Sequence, residues 1–173
     1  MKTTKLKKLH PCSDALQWVS EQKNPQQAWD DCERGDWMLW LLGKLSGDSK
    51  SKSRKKLVLA ACECARLSLH LVPDDEDRPR IAIETAEKWV RGEASIDRVM
   101  SAAYAADVAT YAAADVAAYA AYADSDAYAA ADVATYAAYA AYAAVYAADA
   151  TRKSTLKQCA DIVRKHYPKV PKL

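Results

Sequence analysis

Apolar residues recur three and four positions apart along most of the chain, and no segment shows the strict alternation of a half-buried strand. "CSDALQWVSEQ" (12–22) places Ala15, Leu16, Trp18 and Val19 at helical spacing behind Ser13, a natural N-cap. "NPQQAWDDCERG" (24–35) predicts a second helix, with Asn24 as cap, Pro25 at its first position and Gly35 as its stop. "DWMLWLLGKL" (36–45) then starts from Asp36, and its Trp37, Trp40 and Leu41 make a thick apolar face expected at the centre of the core.

Residues 46–56 read as a solvated loop. The basic residues at its end oppose the dipole of the next helix, which is therefore expected to begin late and to run through "LVLAACECARLSLHLV" to Pro73. After an acidic, proline-bounded loop, "RIAIETAEKWVRGE" (80–93) predicts a helix with Ile81, Ala82, Thr85, Ala86 and Trp89 inward and Gly92 closing it. Ser95 can cap the next helix. A last helix carries Leu156, Cys159, Ile162 and Val163 as its stripe, before a tail at 167–173 with Pro168 and Pro171. The pattern predicts one all-α domain over 1–173, of about seven or eight helices.

Residues 101–150 depart from this texture. They hold 27 Ala, 9 Tyr and 6 Asp, and no Gly, Pro, Lys, Arg or Glu. Alanine has the highest helix propensity, so the tract predicts helix. One unbroken helix would be about 75 Å long, against about 40 Å for a compact domain of this size. "ADSDA" (123–127) offers a turn, with Asp124 or Ser125 as a new N-cap and Asp126 in the first turn, which gives an antiparallel Ala/Tyr-rich hairpin. "AADVATYAA" occurs at 105–113 and again at 130–138, a duplication without the constant period of a solenoid.

Composition adds a charge asymmetry. The tract's six Asp give −6, while the other 123 residues carry 25 basic and 17 acidic groups, giving +8. Compensation within the fold is the simplest reading, and a face that seeks a partner is the other. Five cysteines, Cys12, Cys32, Cys62, Cys64 and Cys159, make an odd set that suits reduced, buried thiols. Cys62 and Cys64 diverge by about 200° on a helix, and zinc-type spacings are missing, so no metal and no cofactor is expected. The longest strongly apolar run, "WMLWLL", is far below the length of a membrane span, and the basic N-terminus leads into no apolar leader segment. The expectation is a cytoplasmic protein.

The motifs of common enzyme classes are missing from the sequence: no G-x-G-x-x-G, P-loop, HExxH or G-x-S-x-G. "CERGDW" gathers Cys32, Glu33, Arg34 and Asp36, which reads first as a helix stop followed by a capped start. Arg34 and Asp36 remain candidate partner contacts. So do Tyr119, Tyr122, Asp124, Asp126 and Tyr128 around the "YADSDAY" turn, because tyrosine offers large contact area at low entropic cost. The same tyrosine stripes also suit a seam between helices, or a homodimer through Ala-rich faces. Basic runs such as "KSKSRKK" and "RKHYPKVPK" leave a nucleic-acid-associated role as an alternative.

"RPRIAIETAEKWVRGEASIDRVMSAAYAADVATYAA" (78–113) resembles the core of the Imm-5-like immunity proteins. The shared features are Arg-Pro, Ala-Ile-Glu, a Trp, Arg-Gly-Glu and Ser leading into an Ala-rich helix. "LVLAACECARLSLHLVP" matches the helix that precedes this element, and "AWDDCERGDWMLWLLGKL" is similar to a segment of related phage and bacterial proteins. The resemblance implies a small helical protein that neutralises a toxin or effector by binding it, with no enzyme activity or cofactor. A phage origin would turn that role toward blocking a host defence protein or sequestering its nucleotide signal.

Overall fold

The computed structural model describes residues 3–72, 74–111 and 149–173. The tract's proposed hairpin, its turn at 123–127 and the repeat's second copy lie outside them. Among the described residues the chain is all-helical: α1 (Thr4–Lys7), α2 (Ser13–Glu21), α3 (Pro25–Asp31), α4 (Gly35–Leu45), α5 (Lys52–Arg66), α6 (Arg78–Arg91), α7 (Ile96–Tyr111) and α8 (Asp149–His166), with a 3-10 turn at Leu69–Leu71.

Helix α5 is the central element because two of its faces are apolar. Leu57, Ala60, Ala61 and Cys64 pack toward α4 and α8, together with Met38, Leu39, Leu42, Cys159, Ala160 and Val163. Val58, Cys62 and Ala65 face α6 and α7, where they meet Ile83, Ala86, Trp89 and Val99. The divergence expected of Cys62 and Cys64 is thus realised as membership of two separate cores. Each thiol donates to a carbonyl, Cys62 Sγ to Ile83 O (3.8 Å) and Cys64 Sγ to Cys159 O (3.7 Å).

Local signals account for many helix boundaries. Asn24 Oδ1 accepts from Gln27 N (2.9 Å), with Pro25 opening α3. Gly92 closes α6 in the left-handed region (φ 82°), where a glycine carries no Cβ penalty. Ser95 Oγ accepts from Arg98 N at the start of α7 (3.3 Å).

Several expectations are corrected. Ser13 is the first residue of α2 and makes no cap; the N-cap is Cys12. Gly35 does not stop α3, which ends at Asp31, but opens α4. In α4 the fully buried side chains are Met38, Leu39 and Leu42, while Trp37, Trp40 and Leu41 are only half-buried. In α6, Ile83 faces inward and Ile81 is exposed, because the buried face follows Ala82, Ala86 and Trp89.

Helix α5 also begins early, at Lys52, not after the basic run. Ser51 Oγ accepts from Arg54 N (3.1 Å), supplying a cap. Arg54 turns inward to become buried, donating to Gly47 O (2.6 Å) and, more weakly, to Gly43 O (3.4 Å) near the end of α4. Its charge opposes the dipole of its own helix but lies at the favourable, C-terminal end of the preceding one.

The tail at 167–173 is docked, not loose. Trp29 Nε1 donates to Tyr167 O (2.7 Å), Val170 N donates to Gln26 Oε1 (3.0 Å), and Lys5 Nζ donates to Leu173 O (2.9 Å).

Candidate functional site

The "CERGDW" corner is built where α3 ends and α4 begins, against α8. Position 35 requires glycine: a Cβ there would lie 2.7 Å from Ala160 N and 2.8 Å from Cys159 C, backbone that cannot move aside. This close approach brings the corner under α8. Arg164 then donates to Cys32 O (2.7 Å) and Trp29 O (3.3 Å), satisfying carbonyls left open where α3 ends. Asp161 Oδ1 accepts from the same guanidinium (2.6 Å) and holds it in place.

The corner's polar groups face one another. Arg34 forms a bidentate pair with Asp36, Nε to Oδ1 at 2.8 Å and Nη2 to Oδ2 at 2.5 Å, and lies over the Trp37 ring at 4.2 Å. Glu33 accepts from Lys157 (2.7 Å). Burial pushes the Cys32 thiol up, so it is a poor nucleophile near neutral pH. Arg34 and Asp36 therefore do come together, half-exposed, as a planar cation–carboxylate pair stacked on an indole. The other candidate contacts, Tyr119, Tyr122, Asp124, Asp126 and Tyr128, lie outside the described residues.

Sequence reasoning missed the feature beside this pair. The tryptophans of α2, α3 and α4 do not all disappear into the core. Trp18, Trp37, Trp40 and Leu41 wall a cleft of ≈ 90 Å³, over a floor that includes Ala15, Ala28 and Trp29. Trp18 and Trp37 meet at 6.4 Å with their planes tilted by 58°. Leu6, Val170 and Leu173 complete the lining from α1 and the tail. Four tryptophans in 23 residues were a visible signal. Their convergence was not, because it depends on how α2, α3 and α4 pack together.

On the far side of α8, Glu63 Oε1 is 2.8 Å from His166 Nε2, and Glu63 Oε2 accepts from Lys165 (3.2 Å). Burial pushes the Glu63 carboxyl up. Hydrogen bonds from His166 and Lys165 outweigh that and hold it below the usual carboxylate range. The group ties α5 to α8. No cluster of metal-ligating side chains occurs among the described residues.

The family model of the Imm-5 like putative immunity protein matches residues 47–172, about three quarters of the sequence. The chain belongs to this family. No curated protein and no solved structure matches it. Within the Imm-5-like region lie both faces of α5, the Gly92 cap and the Ala/Tyr/Asp tract. The Trp-walled cleft is lined almost wholly from outside it: of its lining residues only Val170 falls within 47–172. Among the described residues no helix is long and apolar enough to cross a membrane.

Proposed function

We propose that this Imm-5-like protein is a non-enzymatic inhibitor that neutralises a protein toxin or effector by direct, stoichiometric binding in the cytoplasm. The observation that carries the reading is family membership over residues 47–172. The chemistry of the corner supports it: Arg34 is engaged by Asp36, Glu33 by Lys157, and the Cys32 thiol is raised by burial. Groups engaged in this way position a surface; they do not supply a poised base or nucleophile.

Half-exposed indoles beside a stacked Arg–Asp pair have the composition of a binding hot spot, where aromatic and arginine side chains dominate the energy. Residues 119–128 of the tract remain candidate contacts through their tyrosines and aspartates.

The test is affinity capture with the tagged full-length chain from nuclease-treated host lysate in moderate salt, with mass spectrometry of proteins and small molecules. One protein recovered in a fixed molar ratio is the expected result. A nucleotide recovered in its place would favour the anti-defence reading by signal sequestration. Nucleic acid would favour a role for the basic segments. Replacing Tyr122, Asp124 and Tyr128 by Ala, with folding intact, then asks whether the tract's turn is part of the contact.

A further inference from the structure

From the cleft between α2, α3 and α4 we infer that the partner inserts one large apolar side chain from an acidic polypeptide segment. The inference rests on the protein-binding reading above and specifies the partner's chemistry. Size comes first. At ≈ 90 Å³ the cleft suits a single leucine, isoleucine or phenylalanine side chain, not a drug-sized ligand, which fills a pocket of about 300–1,000 Å³. The walls come next. Trp18, Trp37 and Trp40 are half-buried, so a guest side chain would complete their burial, the usual condition of an interface anchor.

Charge selects the rest of the segment. The cleft's outer edge is formed by α1 and the tail, which Lys5 joins through Leu173 O at 2.9 Å. Lys5 and Lys7 flank the lining residue Leu6, and Lys169 and Lys172 flank Val170 and precede Leu173; all four lysines are exposed. Residues 3–13 and 168–173 contain no Asp or Glu. Of the exposed carboxylates on α2 and α3, Asp30 reaches the tail through Gln26, whose Nε2 donates to Asp30 Oδ1 (2.8 Å) and to Pro168 O (3.3 Å), so this side of the cleft carries four lysines and the Asp30 carboxylate. A bound segment therefore runs with its carboxylates along the α1–tail edge. Electrostatics of this kind sets orientation and on-rate, while the apolar anchor holds the complex. Nearly all of the lining lies outside the family-matched region.

The probe is a displayed library of random peptides about twelve residues long, selected on the intact full-length protein. Enriched peptides are then measured by fluorescence anisotropy on three proteins: the native chain, Trp37→Ala, and the double variant Lys7→Glu/Lys172→Glu. The expected peptides carry Asp or Glu beside a large apolar residue. Affinity should fall about tenfold or more on either variant, and should weaken as salt rises from about 0.1 to 0.5 M. The lysine variant changes only exposed side chains, so it keeps the test decisive should Trp37→Ala fail to fold. Enrichment of basic or uncharged peptides, affinities within about twofold on both variants, displacement by a thymidine oligonucleotide, or no enrichment would each overturn the inference. An effector still neutralised stoichiometrically by Lys7→Glu/Lys172→Glu, with no acidic peptide selected, would overturn this inference alone and leave the inhibitor reading standing.

Discussion

The two cores on either side of α5 are held together by different means. Toward α6 and α7, Val58, Cys62, Ala65, Ile83, Ala86, Trp89 and Val99 form a small, closed apolar layer. Its helices are neighbours in sequence, and α6 and α7 are joined by a four-residue connection with the Gly92 stop and the Ser95 cap. Toward α4 and α8, the layer depends on contacts between residues more than 90 positions apart. Examples are the seat of Gly35 on Cys159 and Ala160, Arg164 on Cys32 and Trp29, Trp29 on Tyr167, and Cys64 on Cys159. The first layer rests mainly on burial, with the Cys62 Sγ–Ile83 O bond inside it and the exposed Arg66–Glu87 pair (2.9 Å) at its edge. The second combines burial with directed polar ties, and it is the one that opens into the Trp-walled cleft. A surface that must bind gains from such ties, because they fix its indoles before a partner arrives.

The largest expected effect breaks the closed layer. Trp89→Ala removes a buried indole with few polar ties to compensate, costing about 3–5 kcal/mol. Chemical denaturation should show one cooperative transition at a much lower midpoint. In the other layer, Gly35→Ala forces a methyl group against the α8 backbone and should cost about 1–3 kcal/mol or more. The same substitution should also displace α4, so the fluorescence of its tryptophans shifts. Trp89→Ala should leave the cleft tryptophans unmoved at temperatures where the fold survives.

Arg164→Met comes next. It leaves Cys32 O and Trp29 O without their donor, an expected loss of about 1.5–3 kcal/mol, seen as a lower melting temperature. Its effect on the cleft should exceed its effect on the α6–α7 layer, which hydrogen exchange resolved by helix can measure.

Thiol chemistry sharpens the comparison further. Cys12 is exposed, while Cys32, Cys62, Cys64 and Cys159 are buried. Burial, as the main cause, pushes the Cys62 thiol up to about 12. In native protein at pH 8 a disulfide reagent should therefore modify one thiol promptly, and five in denaturant. Two or more fast native thiols would show that one of the cores opens readily.

The smallest effect is a pH dependence at Glu63. Its folded-state pKa is depressed, so its contribution is fully present above the unfolded value, near 4.5, and is lost as pH falls through the lower folded value. The carboxylate is partly exposed, so solvent screening limits this to under about 1 kcal/mol. Glu63→Gln should therefore lower stability by up to that amount at pH 7 and flatten the profile below pH 4.5, where the two proteins converge.

The contrast between the layers also explains what was legible in the sequence. Class, the α6 stop, the α3 cap and the separation of Cys62 from Cys64 follow from local rules of spacing and capping. The positions that were misjudged answer to distant partners. Gly35 resembles a helix stop until α8 is placed against it. Arg54 looks like one charge in a solvated run until the carbonyls of Gly43 and Gly47 receive it. The Trp37/Trp40/Leu41 face reads as core because hydrophobicity alone does not tell a core from an open cleft. Of the candidate contacts, Arg34 and Asp36 meet as near neighbours in sequence, while the basic edge made by α1 and the tail depends on Lys5 meeting Leu173.

An inhibitor of the kind proposed for this Imm-5-like protein acts by occupying its target. The most direct measurement titrates the captured effector's activity with the purified chain and records the intact masses of both components. The expected result is a linear fall to zero at a fixed molar ratio, with both masses unchanged. Loss of activity at a small fraction of an equivalent, or a changed mass of the effector, would contradict it and reveal a catalyst.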